Sequence, residues 1–227
     1  MVERVGEQNP GWSAVDAYIV EHLLGDDSAL SAALAANAAG GLPDIDVSPA
    51  QGRMLHLFAR MAGALRILEI GTLGGYSTIE LARALPAGGK LISLEIDLHH
   101  ADVARSNVAK AGLGDCVDIR TGPALDSLQA MIAAREGLFD FVFIDADKQN
   151  NPAYIRAALA MSRPGTTIVV DNVIREGGVL DEASGDERIR GTRDLFDAVG
   201  AEKRLTATAV QTVGVKKWDG FLIAVVD

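Results

Sequence analysis

The pattern of hydrophobic and polar positions changes character at residue 66. Before it, apolar side chains recur at helical spacing; after it, short β-branched and aromatic runs alternate with helical stretches. Such alternation predicts a parallel sheet with right-handed crossovers. The predicted strands are 66–70, 90–95, 117–121, 139–144, 166–170, 205–211 and 220–226, and the last two are expected to form an antiparallel edge hairpin.

Helices are predicted before the first strand and between the later ones. Trp12 to Leu23 form an apolar stripe that Gly25 ends, Ser28 is expected to cap 28–39, and Ser48-Pro49 starts a third helix. That third helix is expected to turn Met54, Leu55, Leu57, Phe58 and Met61 towards the core. Later helices are predicted at 76–85, 99–111, 124–134, 152–161 and 187–199, with Asn151 and Asp186 as caps of the last two.

The predicted fold class is α/β. We expect a Rossmann-like, doubly wound, mostly parallel seven-stranded sheet with an antiparallel C-terminal edge hairpin and extra N-terminal helices. The length of 227 residues fits one domain, 1–227, in which 1–41 is a helical extension that begins with a loose arm at 1–10.

Composition narrows the range of partners and compartments. The net charge is −10, from 21 Lys and Arg against 31 Asp and Glu, which argues against nucleic acid or an anionic membrane as a partner. The single cysteine, Cys116, excludes an internal disulfide and is expected to pack beside the third strand. With no apolar signal core and no run of membrane-spanning length, a cytoplasmic location is predicted.

Polar side chains follow two of the buried strands. Asp145, Asp147 and Lys148 come after the strand at 139–144, and Asp171 and Asn172 end the next one. Ligands bind beyond the carboxyl ends of strands in open α/β sheets, and an all-oxygen set suits Mg²⁺, Mn²⁺ or Ca²⁺ rather than zinc. The alternative is that these acids are helix caps or ion-pair partners of the lysine.

A glycine-rich turn follows the first strand. Gly71, Gly74 and Gly75 allow a tight turn and a close approach of the backbone to a ligand, although their spacing is not that of dinucleotide-binding proteins. Glu69 suits a ligand with a positive group such as an ammonium. Glu95, at the end of the second strand, can accept hydrogen bonds from ribose hydroxyls. Together these residues favour an adenosine-containing cofactor.

These motifs resemble the cation-dependent O-methyltransferases, which include catechol and caffeoyl-coenzyme A O-methyltransferases and bacterial relatives. The resemblance covers residues 42–227 and is carried by the segments 69–77, 94–97, 122–125, 145–148, 170–173 and 218–221. It departs from many relatives at Gln149-Asn150-Asn151, and Tyr154 falls where a family tyrosine often stands.

The resemblance implies S-adenosylmethionine as the methyl donor and a divalent cation, Mg²⁺ in the first place and Mn²⁺ or Ca²⁺ as alternatives. Asp145, Asp171 and Asn172 would hold the cation, and Lys148 would be the general base. The predicted cofactor-binding residues are Val47, Glu69, Gly71, Gly74, Gly75, Ser77, Glu95, Ala124, Asp145 and Asp147, so Asp145 belongs to both sets.

The predicted function is transfer of a methyl group to a hydroxyl of a catechol-like phenol, a small-molecule acceptor that the sequence does not specify further. The alternatives are an NAD(P)-dependent oxidoreductase on the same sheet and a non-catalytic cofactor-binding module. The loop 175–185 is either a lid or a solvated linker. Because relatives commonly dimerise, the apolar N-terminal helices are expected to form a homodimer; the alternative is that they simply cover the sheet.

Overall fold

The computed structural model describes residues 9–227, which contain eight α-helices and seven strands. Residues 1–8 of the predicted arm lie outside this described part of the chain. The elements in chain order are α1 Pro10–Ile19, α2 Ser28–Ala39, α3 Pro49–Met61, β1 Arg66–Ile70, α4 Tyr76–Ala84, β2 Lys90–Glu95, α5 Leu98–Lys110, β3 Val117–Thr121, α6 Ala124–Ala134, β4 Phe139–Ile144, α7 Asn151–Ala160, β5 Ser162–Asp171, α8 Glu187–Ala201, β6 Leu205–Gly214 and β7 Lys217–Val226. A π-helical turn, Val20–Leu24, extends α1, and 3₁₀ turns occupy Lys148–Asn150 and Gly178–Leu180.

The strands form one sheet in the order β3-β2-β1-β4-β5-β7-β6. Strands β1 to β5 run parallel, and β7 is antiparallel to both β5 and β6. This confirms the predicted fold class. The chain moves outward from β1 in one direction and from β4 in the other, so the crevice for a ligand lies beyond the ends of β1 and β4.

Two apolar layers cover the sheet because successive side chains of each strand point to opposite faces. Leu68, Val142 and Ile168 belong to one buried cluster, which includes α7 and α8 residues. Ile67 and Phe141 belong to the other, which includes α3 and α4 residues. Since the central strands are buried on both faces, their apolar runs were continuous and their bounds easy to predict.

The cap of α2 is Asp27 and not Ser28, so that prediction is wrong. The Asp27 carboxylate accepts the backbone N–H groups of Ala29 and Leu30 at 3.1 and 3.0 Å, and Ser28 is the first helical residue. Arg83 of α4 donates to the same carboxylate at 2.6 Å. A charged acceptor with an arginine partner therefore caps the helix in preference to the neighbouring hydroxyl.

The apolar residues of α3 do not all face the core. Leu55 is fully buried, and Met54 and Phe58 pack against the core, as predicted. The prediction is wrong for Leu57 and Met61, which are 50% and 81% exposed. With 3.6 residues per turn, a helix that buries position 55 turns positions 57 and 61 to its far side.

The cap predicted at the start of α7 is also wrong. Residues Lys148–Asn150 form a 3₁₀ turn, so Asn151 becomes the first residue of the helix, with Pro152 next to it. The Asn151 side chain is fully buried, and neither of its polar atoms has a hydrogen-bond partner within residues 9–227. The cap of α8 is confirmed, because the Asp186 carboxylate accepts the Arg188 N–H group at 2.8 Å.

Two further expectations can be compared with the structure. Cys116 is half-buried next to the start of β3 and its thiol donates to the Leu113 carbonyl at 3.3 Å, as expected of a packed residue. Within residues 9–227 no helix combines the length and the apolar character needed to cross a bilayer.

The two faces of α3 give a test of this arrangement. Leu55→Ala should lower the free energy of unfolding by about 2–5 kcal/mol, because it opens a cavity in the core. Leu57→Ala, on the half-exposed side of the same helix, should change it by about 0.5 kcal/mol or less. Urea unfolding of both variants checks this, and similar losses for the two would contradict the assigned helix orientation.

Candidate active site

A buried lysine and a carboxylate form an ion pair just beyond β4. The register of the sheet aligns Ile70, Ile144 and Val170, so the residues after them lie at one edge. Asp145 follows β4, and the 3₁₀ turn brings Lys148 Nζ to 2.7 Å from its Oδ1. The lysine is only 7% exposed, so this charge is held inside the crevice.

Asp171 brings a second carboxylate to the same place. It is 3% exposed, and its two oxygens accept the Asn172 N–H group at 2.8 Å and the Gln51 side-chain amide at 2.6 Å. Burial raises the pKa of Asp171 well above its usual range, and the negative charge of Asp145 raises it further, whereas Lys148 lowers it. Lys148 thus pairs directly with the part-buried Asp145, and its charge also acts on the buried Asp171.

The charge and the donor atoms at this point fit a divalent cation. Asp145, Asp171 and Asn172 offer carboxylate and amide oxygens, the ligands that hard cations prefer. Burial and the negative charge of Asp145 both raise the pKa of Asp171, so a cation bound beside it would favour the charged carboxylate. Across residues 9–227 no three His, Cys, Asp or Glu side chains converge in a way that could hold a metal, so Asn172 must complete any such set.

Asp219 shapes the backbone that follows Asn172. Its Oδ1 accepts three backbone N–H groups, those of Ile174, Arg175 and Gly220, at 2.9 to 3.0 Å. Asn172 itself has a left-handed backbone with φ +57°, which asparagine adopts more readily than most residues. The negative charge of Asp219 also contributes to the raised pKa of Asp171.

The Asp147 carboxylate accepts hydrogen bonds from two residues that follow it in the chain. Its carboxylate accepts the hydroxyl of Tyr154 and the side-chain amide of Asn150. The pKa of the Tyr154 hydroxyl is raised, first by burial and then by this bond to Asp147. The departure at Gln149–Asn151 therefore supplies a partner for Asp147, and the predicted contact of Asp147 with the cofactor stays a prediction.

Glu69 is enclosed by hydroxyl groups. It is fully buried, and Ser77, Thr78 and Ser93 each donate to its carboxylate at 2.6 Å. Burial raises its pKa to about 7, and the three hydrogen bonds oppose that rise. The predicted contact with an ammonium group would have to use these same carboxylate oxygens, and it stays a prediction. The hydrogen bond that the structure does show orients Ser77 at the start of α4.

Packing within the chain accounts for two of the predicted glycines. A side chain at Gly71, whose φ is +99°, would lie 2.1 Å from the carbonyl oxygen of Asp145. One at Gly74 would lie 1.9 Å from the Asn37 amide oxygen. Gly75 takes a left-handed backbone and forms the cap position of α4. Glycine is thus required in this turn because other residues of the chain lie against its backbone. The contact of the turn with a ligand stays a prediction.

Glu95 lies directly beneath this turn. Its Oε2 accepts the N–H groups of Thr72 and Leu73 at 3.2 and 2.8 Å, and its Oε1 accepts that of Asp97 at 3.0 Å. The end of β2 is therefore connected to the glycine turn. The remaining predicted cofactor residues lie around the same edge: Val47 is buried before α3, and Ala124 begins α6 after β3.

Comparison with known proteins identifies the family. The model of the O-methyltransferase family matches residues 25–222. A catechol O-methyltransferase from Mycobacterium tuberculosis is 50% identical over 220 residues, which are 97% of this chain and 98% of that protein. The chain belongs to the O-methyltransferase family. It is an S-adenosylmethionine-dependent O-methyltransferase, as predicted.

Solved structures of O-methyltransferases share the whole fold. One from Bacillus cereus, in complex with SAH, is 55% identical with a TM-score of 0.95, and covers 96% of this chain and 99% of its own. The O-methyltransferase TomG from Streptomyces achromogenes, in complex with SAM, is 43% identical with a TM-score of 0.92, and covers 100% of this chain and 99% of its own.

Two residues of this O-methyltransferase site were given no role by sequence reasoning. Gln51 lies in the first turn of α3 and reaches Asp171, which is 120 positions away in the chain. No local pattern signals that contact. Asp219 was visible as part of a matched motif, but its role in holding the chain after Asn172 emerges only from the three backbone bonds.

The raised pKa of Glu69 gives a prediction about stability. Folding favours the protonated carboxyl, so the contribution of Glu69 to stability is present below pH 4.5 and is lost as the pH rises through about 7. Glu69→Gln removes this titration. The stability of the natural protein relative to the variant should therefore fall between pH 4.5 and 8, by at most about 3 kcal/mol.

Urea unfolding of both proteins at several pH values measures this difference. Different hydrogen bonds at position 69 would add a constant offset to the difference in unfolding free energy. The contributions of titratable groups that both proteins share cancel in that difference. Two parallel curves would contradict the raised pKa.

Proposed function

We propose that this protein transfers the methyl group of S-adenosylmethionine to one hydroxyl of a vicinal dihydroxy phenol, and that the reaction requires a divalent cation. The observation that carries the proposal is the buried Asp171 carboxylate beside Asp145 and Lys148, at the carboxyl ends of adjacent strands. The similarity to the catechol O-methyltransferase of M. tuberculosis supports the choice of acceptor.

We assign the cation to Asp145, Asp171 and Asn172, with Mg²⁺ as the first choice and Mn²⁺ or Ca²⁺ as alternatives. A divalent cation bound there would lower the pKa of an acceptor hydroxyl and fix its orientation. The protein's own contribution is to hold the buried carboxylate of Asp171 and the part-buried carboxylate of Asp145 at the same edge of the sheet. Asp171 is oriented by donors on both of its oxygens, and Asp145 by its bond to Lys148.

Lys148 is assigned to the acceptor. Its Nζ is buried beside Asp145, at the edge where the phenol would lie. There it either takes the hydroxyl proton as a general base or remains charged and stabilises the phenolate. The two roles differ in whether a permanent cation can replace the lysine.

The cofactor is assigned to the neighbouring part of the same edge. Val47, Glu69, Gly71 and Ser77 would hold its methionine end, Glu95 its ribose and Ala124 its adenine; Gly74, Gly75 and Asp147 complete the set, and Asp145 lies where the two sites meet. Holding donor and acceptor side by side would supply much of the rate, because orientation replaces a bimolecular encounter.

An apolar cavity supports a ring-shaped acceptor. A space of about 220 Å³ lies between α1, the first turn of α3 and the β6–β7 turn. Ala17, Val20, Pro49 and Ala50 supply most of its apolar wall, and Ala50 precedes the residue that contacts Asp171. We assign the role of a lid to the loop 175–185, in which the Val179 carbonyl accepts a hydrogen bond from Arg193 at 2.6 Å.

A homodimer and a cytoplasmic location remain part of the proposal. The first is supported by the exposed apolar side chains of α1, because Val15 and Tyr18 are 58% and 61% exposed. Family membership leaves the two alternative functions, an oxidoreductase and a non-catalytic module, without support.

Transfer of a labelled methyl group tests the proposal as a whole. The purified protein is incubated with labelled S-adenosylmethionine, caffeate and Mg²⁺, with and without a chelator. Labelled product should form only when the cation is present. Transfer that survives chelation would contradict the cation requirement, and no transfer to any of a panel of catechols would contradict the acceptor class.

The assignment of Asp145 predicts separable effects on the two ligands. Asp145→Asn should abolish cation-dependent turnover, because it removes one negative charge from the cation site. The affinity for S-adenosylmethionine, measured by calorimetry without the cation, should fall much less than turnover, because Asp145 is only one of the ten residues assigned to the cofactor. Asp194→Asn, an exposed change on α8, serves as the charge-matched control and should match the natural protein in both measurements. Equal loss of turnover and cofactor affinity in the Asp145 variant would contradict the division of roles.

The two possible roles of Lys148 predict different outcomes for two substitutions. Lys148→Ala should lower kcat by about 10²–10⁴-fold while cofactor affinity is little changed. Lys148→Arg should restore much of the rate if the charge alone is needed, and should not if the lysine takes the proton. An unchanged kcat in the alanine variant would remove Lys148 from the mechanism.

A further inference from the structure

We propose that Gln51 is a positioning residue, which fixes the Asp171 carboxylate and couples the cation centre to the chain segment beside the cofactor. The inference rests on the proposed function, because it takes the cation and cofactor sites from it. It goes further because it assigns a role to a residue outside both sets. It also predicts that binding at one site changes the affinity of the other.

The contact between Gln51 and Asp171 joins distant parts of the chain. Gln51 Nε2 donates to Asp171 Oδ2 at 2.6 Å, and the Asn172 N–H group donates to Oδ1 at 2.8 Å. Each carboxylate oxygen has two lone pairs, so these donors fix the orientation of the group and leave one lone pair on each oxygen. The carboxylate is thereby held ready to bind a cation.

A neutral amide is the side chain that suits this position. Lys148 already neutralises part of the negative charge of Asp145 and Asp171. A second cation in place of Gln51 would compete with a metal ion, and a carboxylate would repel Asp171 in a desolvated crevice. The amide orients Asp171 without changing the charge of the site.

The backbone of Gln51 is anchored at the start of α3. Its N–H group donates to the Ser48 hydroxyl at 3.2 Å, which caps the helix, and Pro49 occupies the first turn. The buried Val47 immediately precedes this cap. A shift of the segment 46–48 would therefore move Gln51, and with it the hydrogen bond to Asp171.

A chain of buried amides connects the same segment to the glycine turn. Asn37 donates to the Asp46 carboxylate at 3.0 Å, and Asn107 donates to the Asn37 carbonyl oxygen at 3.0 Å and to the Gly74 carbonyl at 2.9 Å. Asn37 and Asn107 are both 3% exposed. The two predicted cofactor-binding segments are thus held together by hydrogen bonds, and Gln51 extends that connection to Asp171.

This arrangement predicts that cofactor and cation strengthen each other's binding. By linkage, the factor by which S-adenosylhomocysteine tightens Mg²⁺ binding must equal the factor by which Mg²⁺ tightens S-adenosylhomocysteine binding. In the natural protein we expect a factor of about 5–150. This coupling factor should depend on the Gln51 side-chain amide.

Calorimetry on Gln51→Met tests the inference, because methionine keeps the length of the side chain and removes the donor. Mg²⁺ affinity should fall by about 10–100-fold, the usual effect of removing a group that orients a metal ligand. The coupling factor should fall to about one, and the affinity for S-adenosylhomocysteine without Mg²⁺ should be unchanged. Gln51→Asn, which keeps the amide but is one methylene shorter, should also lose the coupling.

The control is Gln129→Met, the same change at an exposed position of α6, which should behave as the natural protein. Unchanged Mg²⁺ affinity and coupling in both Gln51 variants would overturn the inference while leaving the proposed function in place. Equal weakening of S-adenosylhomocysteine binding without Mg²⁺ would also overturn it, since it would reveal a purely structural role. If the natural protein binds no Mg²⁺, the cation requirement of the proposed function is itself contradicted.

Discussion

The buried carboxylate of Asp171, beside the part-buried ion pair of Asp145 and Lys148, is the constraint on which the rest of the site depends. Asp145 and Asp171 follow adjacent parallel strands, so the register of the sheet brings them together whatever the surface loops do. Burial raises the pKa of Asp171 and the negative charge of Asp145 raises it further, whereas Lys148 and the backbone N–H group of Asn172 lower it. Such a site is stabilised by additional positive charge. This is the basis on which we propose that the edge binds a divalent cation.

Hydrogen bonds from the surrounding chain keep this edge in place. Gln51 orients Asp171, and Asp219 fixes the backbone that leaves Asn172. On the cofactor side, Glu95 accepts backbone N–H groups of the glycine turn, and Glu69 accepts three hydroxyl groups. The carboxylates at the ends of β1 and β2 therefore stabilise the glycine turn and the start of α4. The contacts with the cofactor that we propose for them come in addition to these bonds.

Much of the fold could be predicted because its signals are local. The strand bounds of β1, β2 and β4 follow from largely apolar runs that are buried on both faces, whereas only Ile119 is buried in the edge strand β3. Predictions failed where two local signals competed. Ser28 and Asp27 are both capping residues, and the charged one with an arginine partner prevailed. On α3, apolar side chains on both sides of the helix concealed which face is buried. The contact of Gln51 with Asp171 spans 120 positions and had no local signal.

The proposed divalent-cation site consists of Asp145, Asp171 and Asn172. Its most direct test is anomalous diffraction from crystals of the protein grown with Mn²⁺ and S-adenosylhomocysteine. We expect an anomalous peak within about 2–2.5 Å of side-chain oxygens of all three residues, with Gln51 still bonded to Asp171. A well-ordered crevice without a peak, or a peak held by other residues, would contradict it.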